Sequence, residues 1–418
     1  MKLVTLSEQE IIITFIALAL LLVSATIFGN LLEKIKGPRV VGEILGGMII
    51  GGSCLFILFP NFMKNIFFAY PEEGKVLNIF YQLGLIFLMF LSGYNTDIQI
   101  DKKNIKNILL VFIGATIIPM LGAIPFISLF QKYFIGDISN TFAFSLVFCI
   151  GVAITSIPVI SKIFFDMGIM NTKISNTILT VSTFQDLCLW ILLNMATRIA
   201  TTGNVKLSEM LIVVGITIGL FVLVVFISKF VKELKKDIST RLCYSISFIL
   251  LLFFCAFLSK IGVNVMYSAF IVGYMIKAFI GTKKKAKEKI DYLEYFVFAF
   301  FVPIYFALVG IQLNVIHDFS FVRFIGFFVI AFGLEFIGTW LLLIFSSMSF
   351  DMKMNFAITM NARGGPGIVL ATVAYANNII NIEFFTVLVL TTMLSSMIAG
   401  YYLRYQQKKN PKVFNNLD

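Results

Sequence analysis

Thirteen apolar stretches, each long enough to cross a bilayer, recur along this chain with only short polar connections between them. A membrane-crossing helix takes about 20 predominantly apolar residues. The stretches fall at 11–29, 41–59, 76–93, 108–130, 141–160, 174–196, 209–228, 242–259, 261–280, 295–311, 324–346, 354–374 and 384–403. Their hydrophobicity is continuous rather than alternating, which is the pattern of helices and not of barrel strands. The predicted class is an all-α polytopic membrane protein with 13 transmembrane helices, occupying 1–418 as a single transmembrane domain with no soluble regulatory domain after it.

Composition excludes the soluble alternatives. Of 418 residues, 59% are hydrophobic and only 13% charged, against roughly 25% charged in a soluble domain. Too little polar surface remains for a cytosolic enzyme, a secreted disulfide scaffold or a disordered chain. Five cysteines lie in or beside apolar runs without paired spacing, and one histidine, His317, sits in a loop. No metal site and no cofactor are therefore expected. The run from Ile11 to Phe28 follows two glutamates and has no Ala-x-Ala site after it, unlike a cleavable signal.

A net charge of +11 would suit a nucleic-acid partner, but the basic residues sit in short loops. With the N-terminus outside, the inner loops carry 24 Lys/Arg and the outer loops 8, with Arg363 inside a span. That bias, led by Lys232 to Arg241 and Lys283-Lys284-Lys285, is the positive-inside pattern. It predicts an N-out, C-in arrangement, lipid as the surrounding partner and no nucleic acid. Lysine outnumbers arginine 27 to 6, and Ile, Asn and Phe are abundant. Such usage suits an AT-rich bacterial genome, so a bacterial cell membrane is the expected location.

Four charges lie well inside spans: Glu43, Asp186, Glu335 and Arg363. Ionisable groups at membrane depth are functional candidates by default, whereas Lys277 and Glu294 near span ends can snorkel. Asp186 follows Gln185 in mid-span. A carboxylate withdrawn from water must be neutralised, by a proton, by a cation, or by a basic residue that merely ties helices together. Gln185 adds an uncharged oxygen acceptor. Glu335 is a candidate partner for Arg363. Glu43 lies in Gly42-Glu43-Ile44-Leu45-Gly46-Gly47, where small-xxx-small spacing favours close helix contact.

Two spans carry breakers. In Gly151-Val152-Ala153-Ile154-Thr155-Ser156-Ile157-Pro158, the proline lacks a backbone donor, and Thr155 and Ser156 can satisfy freed groups. In Asn361-Ala362-Arg363-Gly364-Gly365-Pro366-Gly367, no continuous helix is expected. Interrupted hydrophobic helices in two halves of a chain point to a midplane site for a small solute or ion. Pro158 alone is also compatible with an ordinary kink. No nucleophile–base pair or phosphate loop supports an enzyme.

Taken together, Gly37-Pro38-Arg39-Val40-Val41-Gly42-Glu43, Gly84-Leu85-Ile86-Phe87-Leu88-Met89-Phe90-Leu91-Ser92-Gly93, Thr155-Ser156-Ile157-Pro158, Phe184-Gln185-Asp186, Phe301-Val302-Pro303 to Gly310 and Asn361-Ala362-Arg363-Gly364 resemble the monovalent cation:proton antiporter family 2. That group includes glutathione-gated potassium efflux systems and spore-germination antiporters. The resemblance implies two inverted repeats with two broken crossing helices, at 141–165 and 354–376, within core helices around 76–196 and 295–403. It implies dimerisation helices from the remainder, a homodimer and elevator-type alternating access. By the same resemblance, Asp186 matches the ion- and proton-binding aspartate, Gln185 stands where relatives have Asp, Asn or Gln, and Thr155 and Ser156 match the unwound segment. Arg363 matches a basic residue before the second break, although other branches carry the essential lysine where this chain has Glu335. The expected activity is exchange of K⁺ or Na⁺ for H⁺, electroneutral with a single aspartate. The alternatives are a proton-uncoupled, channel-like K⁺ efflux protein of the same fold and an ion-binding sensor that does not transport.

Overall fold

A computed structural model describes residues 5–95, 104–169, 172–203, 240–260, 263–280 and 284–410, with Gly215, Gly219 and Phe414 besides. In chain order the main helices are α1 (Glu8–Lys34), α2 (Arg39–Ile50), α3 (Glu73–Asn95), α4 (Ile105–Phe112), α5 (Ile118–Phe134), α6 (Thr141–Val152), α7 (Ile157–Asp166), α8 (Lys173–Thr202), α9 (Thr240–Lys260), α10 (Val265–Ile280), α11 (Lys284–Ala299), α12 (Phe301–Gln312), α13 (Phe321–Leu343), α14 (Phe350–Met360), α15 (Gly364–Ala376) and α16 (Ile382–Lys409). A π-helical segment, Ile113–Ile117, joins α4 to α5. Apart from one β-bridge between Ile135 and Ile380, the described residues form no β-structure.

Ten helical segments among the described residues are long and apolar enough to cross a membrane, and they coincide with ten of the predicted spans. The predicted span at 261–280 is a shorter apolar helix, Val265–Lys277, that at 354–374 is divided into α14 and α15, and that at 209–228 lies outside the described residues. One difference is a break at Phe300, where the predicted helix 295–311 divides into α11 and α12. Pro303 falls in the first turn of α12, where its missing N–H leaves no gap in the ladder.

Helix starts follow local chemistry. Ser7 and Glu10 form a reciprocal capping box on α1, and Thr172, Ser349 and Asn381 cap α8, α14 and α16. Gly203 closes α8 at φ 72°, a left-handed position that glycine adopts without strain.

The chain divides into two compact units, Met1–Leu91 with Ile280–Phe319, and Ser92–Phe279 with Ser320–Asp418. In the first, the glycines of α2 set close packing on two sides. A Cβ on Gly42 or Gly46 would run into the backbone of α1 at Phe28 and Ser24, and one on Gly47 or Gly51 into α12 at Ala307 and Ile311. The two small-residue pairs thus face different helices. Glu43, 3% exposed, accepts a 2.9 Å bond from Arg39 Nε.

In the second unit one group of phenylalanines packs together. Phe148 and Phe327 are 5.4 Å apart, Phe327 and Phe384 5.0 Å, and Phe134 stacks on Phe384 at 4.5 Å. Gly114 and Gly338 let the π segment and α13 meet backbone to backbone. Apart from Glu43, which packs in the first unit, the sequence-predicted site residues lie in this unit.

Candidate functional site

Two interrupted helices build the site. The first stops at Val152 and restarts at Ile157, and the second stops at Met360 and restarts at Gly364. Pro158 does not kink a continuous helix. It is the second residue of α7, where the absent N–H belongs to a group that a helix start leaves unpaired anyway. Gly365 and Pro366 occupy the first turn of α15 in the same way, and both are buried.

The carbonyls released by each break are taken up by the other segments. Pro366 has no N–H for Ala362, and the Ala362 oxygen accepts from Ser156 N at 2.6 Å. Gly364 N donates to Ser396 Oγ at 3.0 Å, which frees the Met360 carbonyl. Thr155 Oγ1 lies 2.6 Å from that oxygen and 3.1 Å from Glu335 Oε1, sharing its one proton between them. Because Ser156 N is engaged with Ala362, the Val152 carbonyl is left at the end of α6. It accepts from Arg363 at 2.9 Å, placing a cation at the negative end of a half-helix. Pro119 cannot donate to Ala115, and Gln185 Nε2 takes that oxygen at 3.0 Å while also donating to Ala153 O.

The buried charges sort themselves clearly. Arg363 and Glu335, 1% and 0% exposed in their side chains, form an ion pair at 2.8 Å, and the same guanidinium nitrogen reaches Ala331 O at 3.0 Å. Asp186 is 1% exposed, and neither of its oxygens has a hydrogen-bond partner among the described residues. Gln185 Oε1 is likewise unpartnered, since only its nitrogen is engaged. The basic partner left open for Asp186 is thus given to Glu335 instead.

Thr155, Ser156, Gln185, Glu335, Arg363 and Gly364 are brought together by these bonds, with Pro158 and Pro366 shaping the two restarts. Asp186 joins them through its neighbour Gln185 along α8 and not through a bond of its own. Ser396 and the π segment complete the site and were not singled out by sequence. For Ser396 the available signal was the hydroxyl-rich run Thr391-Thr392-Met393-Leu394-Ser395-Ser396 within a span. Chemically, the arrangement is one unpaired carboxylate with a neutral oxygen beside it, in a frame whose other charges are already matched. It can hold a proton or a monovalent cation.

A family model described as "Sodium/hydrogen exchanger, transmembrane" matches residues 18–405. The chain is similar to the Cation/H(+) antiporter 18 of Arabidopsis thaliana, 25% identical over 399 residues, covering 92% of this chain and 48% of that protein. It is similar to the Na(+)/H(+) antiporter of Enterococcus hirae, 25% identical over 399 residues, covering 94% of this chain and 97% of that one. The chain spans about half the length of the plant relatives and nearly all of the bacterial one. In fold it is similar to the sodium proton antiporter MjNhaP1 of Methanocaldococcus jannaschii, with a TM-score of 0.63 at 17% identity over 98% of this chain and 99% of that chain.

Proposed function

The chain belongs to the sodium/hydrogen exchanger family, and we propose that it exchanges a monovalent cation, K⁺ or Na⁺, for protons across a cell membrane, with Asp186 as the group both ions use in turn. One observation carries this reading: Asp186 is buried and has no hydrogen-bond partner among the described residues, while the buried cation Arg363 is committed to Glu335. A carboxylate in that position is neutral only with a proton or a cation on it. Competition for one place is the simplest form of coupling.

In this reading Gln185 Oε1 and the hydroxyls of Thr155 and Ser156 supply neutral oxygens, and the Arg363–Glu335 pair holds the two breaks in register. Thirteen spans with N-out, C-in orientation, a homodimer and a multi-pass bacterial cell-membrane location belong to the same proposal. So do elevator-type movement of the unit that carries the site and one-for-one, electroneutral exchange. The relatives named above as cation/proton and Na⁺/H⁺ antiporters support the coupling.

The test is dissipation of an imposed pH gradient in proteoliposomes on addition of K⁺, Na⁺ or Li⁺, with Asp186→Asn as the comparison. Cation-dependent dissipation that drops to the protein-free rate in Asp186→Asn is the expected result, and the effective cation names the substrate. Exchange at the normal rate in that variant overturns the site. Cation flux with no proton movement replaces the exchanger by a channel-like pathway.

A further inference from the structure

The second unit buries another group of polar side chains that the exchange site does not use. Thr116 in the π segment, Ser182 on α8, Thr339 on α13 and Asn355 on α14 are each no more than 1% exposed. Thr116 Oγ1, Ser182 Oγ, Thr339 Oγ1 and both amide atoms of Asn355 have no hydrogen-bond partner among the described residues. A buried polar atom without a partner costs about 1–3 kcal/mol, and native proteins keep few of them. Five on four neighbouring segments mark a place that serves something other than the protein's own bonding.

Their positions follow from contacts at the exchange site. Thr155 touches both Glu335 and the Met360 carbonyl, so those two residues lie level on α13 and α14. The two helices are joined by a short connection and run antiparallel. Thr339 is one turn beyond Glu335, and Asn355 is five residues before Met360. Both therefore fall about 6–8 Å from the ion pair, in the same direction, at 1.5 Å per residue. Gln185 holds α8 to Ala115, beside Thr116, and Ser182 is one turn back along α8 in that same direction. The Cβ position of Gly114 is 2.8 Å from Thr339 Cα, which brings the π segment against α13 here. Further back on α8, buried Thr177 is bonded to Asn104, itself only partly buried. A polar line thus leads from the level of Gln185 to the end of the unit where α8 and α14 begin.

The set contains a donor, Asn355 Nδ2, among hydroxyls and a carbonyl oxygen. A bare cation would satisfy the oxygens and leave that nitrogen unpaired, whereas water both donates and accepts and typically bonds two to four such groups. We propose that Thr116, Ser182, Thr339 and Asn355 hold a file of ordered water that carries protons between the exchange site and the inner end of this unit while that site faces inward. Each hop breaks one O–H bond and forms another on the next oxygen, so nothing is consumed. The inference rests on the reading of Asp186 as the exchange site and on the orientation proposed with it.

Two measurements test it on the full-length protein. In the first, the wild-type protein is exposed to X-ray-generated hydroxyl radicals, which label side chains beside bound internal water. Met352 and Phe356 flank Asn355 on α14 and are 2% and 0% exposed. They are expected to be oxidised at least fivefold faster than Met89, which is buried to the same 2%. Labelling of the three at one rate overturns the file. In the second, Thr339→Val, which keeps the side-chain volume, and Asn355→Leu are compared with wild type in proteoliposomes. Proton-coupled exchange is expected to fall about tenfold, while stabilisation of the purified protein by the transported cation stays intact because Asp186 is untouched. Exchange at the wild-type rate in Thr339→Val overturns the proton route even if Asn355→Leu does not fold. Should Asp186→Asn retain exchange, the fault lies with the site assignment and not with the file.

Discussion

Arg363 binds three oxygens through one terminal nitrogen, those of Glu335, Val152 and Ala331, from a position that is 1% exposed. Removing one member of a buried pair leaves the other charged and desolvated, which destabilises by about 3–5 kcal/mol, whereas replacing both by apolar groups is often tolerated. Arg363→Met is therefore expected to lower the melting temperature of the purified protein markedly. The double variant Arg363→Met with Glu335→Leu should recover most of that loss. A single variant as stable as wild type would show that the pair does not hold the breaks together. The pairing was within reach of the sequence, since Glu335 is the only charge in its span. That Asp186 stands without a partner among the described residues was not, because it depends on which neighbours α8 meets, and residue spacing on one helix does not specify them.

At the scale of the element, both breaks were legible from their proline and glycine content, and their geometry was not. Pro158 reads equally as a kink or as a helix start. What decides is that the backbone groups on either side find partners on the other interrupted helix, as Ser156 does with Ala362. The division of the predicted helix 295–311 at Phe300 carried only Pro303 as a signal, and a single proline fixes no boundary. Gly364 is the most exacting position in either break. Its φ is +41°, and an added Cβ would overlap Val159 and Ser156. A left-handed backbone costs a non-glycine residue about 1–2 kcal/mol before any overlap is counted. Gly364→Ala is expected to lower thermal stability by more than that and to abolish exchange. Gly326→Ala is the control, because its Cβ meets only ordinary contact with Phe130 at 3.5 Å. In a helix interior it should be neutral or stabilise by up to about 1 kcal/mol. Equal melting temperatures for the two variants would remove the case for a strained, fitted restart.

For the whole molecule, what the sequence carried best was the all-helical class and the placement of the ten apolar runs that described helices match, because the bilayer imposes length and continuous hydrophobicity on any helix that crosses it. The division of the chain into two compact units was carried less well, since it depends on contacts between segments as distant as α2 and α12. The charge count of the site has a consequence at this scale. Arg363 and Glu335 cancel, and in the exchange proposed above Asp186 is then the one charge that a transported ion must neutralise. Under that proposal the loaded site is uncharged with a proton and uncharged with a cation, and neither crossing would move net charge through the membrane field. A membrane potential of 100 mV is worth about 2.3 kcal/mol per elementary charge. In an exchanger that moved one net charge per cycle it would shift the equilibrium ion gradient roughly 50-fold. Here the gradient at which net flux stops is expected to be the same at zero and at 100 mV, set with a K⁺ ionophore in liposomes loaded for Na⁺ exchange, or with a lipophilic ion where K⁺ is the substrate. A shift approaching 50-fold would mean that a second group titrates during the cycle. Glu335 would then be the first to examine, because it is the other buried carboxylate in contact with the broken helices.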